Sequence, residues 1–200
     1  MKKILHAGLI VVLTFAFTLL LTGCGGAGAG LPDEITIELP DGTTQVVSLG
    51  AGVPSLANST WEFFESYDSG QSAAFLIITF GPEGNLERFD DNTIAPQVFG
   101  DTIHFDGERH PTNQPGLSYA AATYGAETSD ATGFAFEGRL TAYAAGLTAA
   151  MAEANASGTF APDDPDTMTG TFTIKTEVTI TNIPEANVDE TFAFVAHRVE

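Results

Sequence analysis

Short runs of alternating apolar and polar residues, separated by turn residues, fill most of the chain from residue 60 onward. The clearest run is 172–180, where one face carries Phe172, Ile174, Thr176, Val178 and Ile180 and the other carries Thr173, Lys175, Glu177 and Thr179. Because successive side chains of a strand point to opposite faces, this pattern predicts a half-buried antiparallel strand with one face in water. No strand–helix–strand rhythm accompanies it, which favours an all-β fold.

The same pattern predicts eight strands in this part of the chain. They are expected at residues 60–67, 73–80, 86–89, 102–105, 117–124, 133–143, 172–180 and 191–199. The alanine-rich residues 144–155 predict one short helix of two to three turns. We therefore expect an antiparallel eight-stranded up-and-down barrel with one short helix, and a β-sandwich is the structural alternative.

The chain before residue 58 predicts separate units. Residues 34–39 and 44–49 alternate around Pro40-Asp41-Gly42-Thr43, which predicts a β-hairpin. We expect a leader at 1–23, a glycine- and alanine-rich tether at 24–33, the hairpin and a linker at 34–57, and the barrel domain at 58–200. The hairpin belongs either to the domain or to the tether.

The leader has the order of a secretory signal peptide. Lys2 and Lys3 are followed by an apolar run at 7–21 and then by small residues before Cys24, the only cysteine. This run is shorter than the stretch of about 20 apolar residues that spans a bilayer, and no charged stop-transfer flank follows it. We therefore predict that the protein is exported and that the leader is removed.

Leu21-Thr22-Gly23-Cys24 resembles the lipobox of bacterial lipoproteins, in which the cysteine becomes the lipid-modified N-terminus. The resemblance implies a membrane anchor on Cys24, and two or three acyl chains make such an anchor stable. Gly25 follows the cysteine where an aspartate is the usual signal for the inner membrane of Gram-negative cells. We therefore expect anchoring to the outer membrane, facing the periplasm or the cell surface.

The body that follows the leader is strongly acidic. From residue 24 onward it has 5 Lys and Arg against 26 Asp and Glu, a formal charge of −21. Such a field repels nucleic acid, so we expect no nucleic-acid partner. The 15 phenylalanines of the chain supply a core and argue against disorder. We expect a folded monomer.

A second resemblance covers residues 58–200. Asn58-Ser59-Thr60-Trp61 at the first main strand, about eight strands and Arg198 near the end of the last one resemble the lipocalin or calycin barrels. The resemblance implies that Trp61 plugs the base of the barrel and that Arg198 packs across its ring as a barrel-closing pair. A cation over an indole face contributes roughly 0.5–2 kcal/mol.

Apolar residues of matching parity are expected to face the interior. They are Trp61, Phe63, Leu76, Ile78, Phe80, Phe134, Phe136, Phe172, Ile174, Phe192 and Phe194. An eight-stranded barrel is either just filled by its side chains or holds one small ligand. The leading hypothesis is thus a lipid-anchored envelope protein that binds a small apolar ligand. The alternative is a structural or adhesion-type surface domain that contacts another envelope protein.

Two groups of residues deserve consideration for metal chemistry. His104, Asp106, Glu108 and His110 would project to one side of an extended strand, but Gly107 and Pro111 favour a loop, and the spacing matches no zinc signature. Asp163-Asp164-Pro165-Asp166 lacks the glycine and distal glutamate of a calcium loop and predicts a hairpin turn. No catalytic motif is present, so we expect a non-enzymatic protein without a cofactor.

Overall fold

The computed structural model describes residues 31–65, 74–89, 99, 103–178 and 187–199. The described residues form eleven strands and one 3-10 turn, Pro54–Leu56. The strands are β1 (Glu34–Glu38), β2 (Thr44–Ser48), β3 (Ser59–Glu65), β4 (Leu76–Phe80), β5 (Leu86–Phe89), β6 (Asp106–Pro111), β7 (Leu117–Glu127), β8 (Gly133–Ala144), β9 (Leu147–Ala161), β10 (Asp164–Val178) and β11 (Val188–Arg198). The predicted all-β class is confirmed.

Nine strands form one antiparallel sheet in the order β5-β4-β3-β11-β10-β9-β8-β7-β6. Each strand from β3 to β11 pairs with the next strand of the chain, except β5 with β6, and β11 returns to pair with β3. This is the predicted up-and-down connectivity, with nine strands in place of eight. The strand expected at 102–105 begins later, at Asp106.

The predicted helix at 144–155 is wrong, because most of this segment belongs to β9. Ala145 and Gly146 both have positive φ angles, 50° and 88°, and form a two-residue turn of the kind that joins antiparallel strands. Beyond the turn, small residues at 150, 152, 154, 156 and 158 alternate with larger or polar ones. That period of two fits a strand whose inner face is crowded by rings from both neighbouring strands.

The sheet curls around its concave face. Phe80 of β4 contacts Phe136 of β8 edge to face, with ring centroids 5.5 Å apart, although these strands are second and seventh in the sheet. Because nine is odd, the edge strands β5 and β6 run in the same direction, and the described residues contain no ladder between them. The result is an incomplete barrel around an aromatic core.

One end of this barrel, which we call the lower end, is closed by side chains. The turn Pro54–Leu56 brings Val53 and Leu56 against Trp61, and all three are fully buried. The indole Nε1 of Trp61 donates a hydrogen bond of 2.7 Å to Ser59 Oγ, so the buried ring has no unpaired donor. The upper end is the opposite one, where β10 finishes at Val178 and β11 begins at Val188.

The N-terminal hairpin packs on the convex face of the sheet. β1 and β2 pair in register around the predicted Pro-Asp-Gly turn. Ile35, Ile37 and Val47 are buried against a patch on β7 and β8 that includes Tyr124. The hydroxyl of Tyr124 donates a hydrogen bond to the carbonyl of Pro32. Covering this patch explains why β7 is buried on both faces.

Candidate ligand site on the concave face

A row of five residues crosses the concave face between the aromatic core and the upper end. The registers align Thr123 of β7 with Gly138 of β8, then Ala154 of β9, Ile174 of β10 and Glu190 of β11. We call these five residues the inner row. The next row toward the lower end is filled largely by rings, since it contains Phe136, Ala156, Phe172 and Phe192.

Gly138 is the second residue of the inner row, and the described residues leave space beside it. A Cβ atom built on this buried glycine meets nothing among the described residues nearer than the Ala154 carbonyl oxygen, at 4.0 Å. Gly158 and Gly170 are different, because a Cβ there would lie 2.5 Å from Thr169 O and 2.1 Å from Ser157 O respectively. Gly158 and Gly170 are thus close-packed, whereas the described residues leave space beside Gly138.

Thr123 places a polar atom at the inner end of the row. The residue is 2% exposed, and its Oγ1 has no hydrogen-bond partner among the described residues. A buried hydroxyl without a partner costs about 1–3 kcal/mol. Thr123 directly opposes Gly138, so this hydroxyl can form a hydrogen bond with a molecule that occupies the space beside Gly138.

Solvent exposure rises from one end of the row to the other. Thr123 and Gly138 are buried, Ala154 and Ile174 are half-buried, and Glu190 is exposed. Phe192 and Phe75 are also half-buried and pack edge to face, with centroids 4.8 Å apart. The row therefore offers an apolar surface that is reached from the side of β11.

The predicted ligand-lining residues divide into two sets. Nine of the eleven are buried in the aromatic core and pack against one another: Trp61, Phe63, Leu76, Ile78, Phe80, Phe134, Phe136, Phe172 and Phe194. Ile174 and Phe192 are half-buried at its upper edge. Sequence reasoning missed Thr123, Gly138, Ala154 and Glu190, whose alignment depends on the order of the strands.

Trp61 and Arg198 are directly opposed on β3 and β11. The guanidinium carbon of Arg198 lies 5.1 Å from the centroid of the indole ring. Its Nε is 3.5 Å from Asp166 Oδ1, at the start of β10. The pair thus holds together the strands of the lower end.

The histidine cluster forms a local network. His110 Nε2 is 2.9 and 3.1 Å from the two oxygens of Asp106, and its ring stacks on His104 with centroids 4.6 Å apart. Partial desolvation raises the pKa of Asp106, but hydrogen bonds from His110 and the Glu108 amide outweigh it and hold the pKa below its usual value.

A bulge with Gly107 at φ 79° shifts the register of β6 after Asp106, which breaks the alternation that a row of four ligands would need. Within the described ranges, no group of three or more His, Cys, Asp or Glu side chains is arranged to hold a metal ion. The acidic segment at 163–166 contributes to the turn between β9 and β10, where Asp164 accepts hydrogen bonds from the Asp166 amide and the Thr167 hydroxyl.

The lipobox and Cys24 lie outside the described residues. In the part of the chain that is described, no helix has the length and apolar character needed to cross a bilayer. Comparison with protein-family models, with curated proteins and with solved structures found no match to this chain. The nine-stranded sheet itself defines the class, an all-β protein with a curled antiparallel sheet.

Proposed function

We propose that this protein binds a small apolar ligand on the inner row, and that a lipid on Cys24 anchors it to the outer membrane of a bacterial cell. The observation that carries the binding proposal is that, among the described residues, nothing fills the space beside Gly138 and nothing bonds to the adjacent hydroxyl of Thr123. Ligand sites typically combine a mostly apolar lining with a few placed polar groups. The inner row has this composition.

The dimensions of the row suit a small amphiphile. Five neighbouring strands are separated by four spacings of about 4.8 Å, so the row is roughly 19 Å long. Phe136 and Phe172 form its lower wall, and Ile174 adds apolar surface between Ala154 and Glu190. Burying an apolar chain there gains about 25 cal/mol per Å² removed from water.

A neutral probe tests the binding proposal. The full-length protein in phosphatidylcholine nanodiscs, labelled at the isoleucine δ1 methyl groups, would be titrated with 1-decanol. We expect a saturable shift of the Ile174 methyl resonance. Gly138→Leu should abolish it by filling the space beside position 138, while Thr159→Leu, on the exposed convex face of β9, should leave it unchanged. No saturable shift in the wild-type protein would refute the proposal.

The anchor has an independent test. Replacing Cys24 by alanine removes the atom that carries the lipid, so the mature membrane-bound form should disappear from cells. Fractionation would then show uncleaved precursor or released protein in place of a lipid-modified product. A C24A protein that is still processed and still anchored like the wild type would contradict the lipid anchor.

The alternative function, contact with another envelope protein, is favoured by one feature of the convex face. Uncharged hydroxyl residues of β9, β10 and β11 oppose one another there: Ser157 with Thr171, Thr159 with Thr169, and Thr173 with Thr191. A photo-crosslinking residue at position 171 should give one defined protein adduct in cells if this face is an interface. Position 34, on the exposed face of the hairpin, is the matched control.

A further inference from the structure

A carboxylate, and not a basic group, lies at the exposed end of the inner row. Glu190 ends the inner row and is exposed. Glu65 also faces the concave side, since it ends β3 two residues beyond the buried Phe63, but it opposes Phe194 and so lies two rows nearer the lower end than Glu190. A molecule lying on the row therefore meets negative charge as it extends toward β11.

The basic residues of the body lie elsewhere. Lys175 and Arg139 project to the convex face and pair with acids: Lys175 Nζ is 3.5 Å from Asp189 Oδ2, and Arg139 pairs with Glu137. Arg109 lies over the ring of Tyr143, 3.9 Å from its centroid.

Arg88 is exposed and opposes Thr79. Because the neighbouring Ile78 points into the core, Thr79 and Arg88 face the convex side. Arg198 shares the concave face but lies at the lower end, beside Trp61 and Asp166. These five are all the lysines and arginines after residue 3. None of them can neutralise an anionic group bound near Glu190.

We infer that the ligand of the inner row is a cationic amphiphile, an inference that rests on the binding function proposed above. Its apolar body lies over Gly138 and Ala154, and its positive group lies beside Glu190. If the ligand has an oxygen or hydroxyl at its inner end, this group forms a hydrogen bond with the Thr123 hydroxyl. The formal charge of −21 acts in the same direction, since it concentrates cations and repels anions around the whole body.

Three probes with the same ten-carbon chain separate charge from apolar burial. Decyltrimethylammonium, 1-decanol and decyl sulfate would be titrated below their micelle concentrations into the labelled full-length protein in zwitterionic nanodiscs. The Ile174 methyl shift reports the site itself, so partition into lipid does not contribute. We expect the cation to bind tightest and the sulfate weakest, with the difference shrinking as NaCl is raised.

A matched pair of variants localises the effect. Glu190→Gln should weaken decyltrimethylammonium about two- to fivefold, the range of an exposed ion pair, and leave 1-decanol unchanged. Glu177→Gln removes the same charge from the convex face of β10, at the same end of the sheet, and should leave the cation preference nearly intact. Both positions are exposed, so both variants are expected to fold.

The outcomes distinguish the two proposals. If 1-decanol produces no saturable shift, the binding function fails and the ligand class fails with it. If 1-decanol binds but the three probes bind equally, or the sulfate binds tightest, only the cationic assignment is overturned. The same holds if Glu190→Gln and Glu177→Gln weaken the cation by the same factor.

Discussion

Two glycines on the concave face should differ in how much stability the same added methyl group costs. In Gly170→Ala the new Cβ would lie 2.1 Å from Ser157 O and 2.9 Å from Phe194 Cζ, and backbone atoms cannot move aside cheaply. We expect a loss of about 1–3 kcal/mol in the free energy of unfolding, measured by chemical denaturation. Gly138→Ala should cost nothing, because the nearest described atom is 4.0 Å away. A large loss for Gly138→Ala would mean that the space beside it is filled.

Asp130, in the turn between β7 and β8, should contribute to the loss of folding stability at acidic pH. Hydrogen bonds from the Thr128 hydroxyl and from the hydroxyl and amide of Thr132 lower the pKa of Asp130. A carboxyl whose pKa is lower in the folded state stabilises the protein above the unfolded-state pKa. That contribution is lost as the pH falls through the folded-state pKa. Stability should therefore decline below about pH 4.

Asp130→Asn keeps the acceptor oxygen but removes the titration, so its stability should depend less steeply on pH between pH 5 and pH 2 than that of the wild type. Glu34→Gln, an equal change of charge on the exposed face of the hairpin, is the control. Thermal unfolding at several pH values measures both. Parallel curves for Asp130→Asn and the wild type would contradict the role of this turn.

Residues with a strong chemical signature were easier to predict than residues without one. The lipocalin resemblance implied the Trp61 and Arg198 pair, the parity of the last strand agreed with it, and the structure places the two side chains together. Thr123 and Gly138 carry no such signal, because a threonine and a glycine within strands are common. Their importance appears only when the registers bring them opposite each other.

The sequence left open whether the N-terminal hairpin belongs to the barrel domain or to the tether. Its buried face packs on β7 and β8, so we expect it to unfold together with the sheet. Ile37 is 6% exposed, and Ile37→Ala should lower the free energy of unfolding by about 2–5 kcal/mol. Val46 is 68% exposed on the same hairpin, and Val46→Ala should change it little. An unchanged melting of the main sheet in Ile37→Ala would show that the hairpin is an independent unit.

β10 and β9 show why one strand was predictable and its neighbour was not. β10 alternates large apolar with polar residues, which indicates a strand unambiguously. β9 places alanine and glycine on its inner face because rings of β8 and β10 flank it there, and alanine is also the strongest helix former. The period of two was present in the sequence, but propensity outweighed it in the prediction. Identifying the turn at Ala145-Gly146 would have corrected it.

At the scale of the whole molecule, the odd number of strands in the main sheet determines whether the sheet can close into an antiparallel barrel. Eight strands can close a barrel with antiparallel pairs throughout, whereas nine leave two edges that run in the same direction. The strand count depended on β9, so the error at one element also changed the expected closure. The closed lower end and the inner row do not depend on whether β5 and β6 pair, because neither contains a residue of those two strands.

This arrangement predicts an uneven pattern of amide hydrogen exchange in the full-length protein. β10 has 15 residues and is paired on both sides, so its amides should exchange only through global unfolding. β5 has four residues and an irregular register, and β6 contains a bulge, so both edges should exchange through local opening at lower free energy. Gly170→Ala should reduce protection in β10 by as much as it reduces global stability. Edge strands protected as strongly as β10 would mean that the gap between β5 and β6 is closed by further pairing.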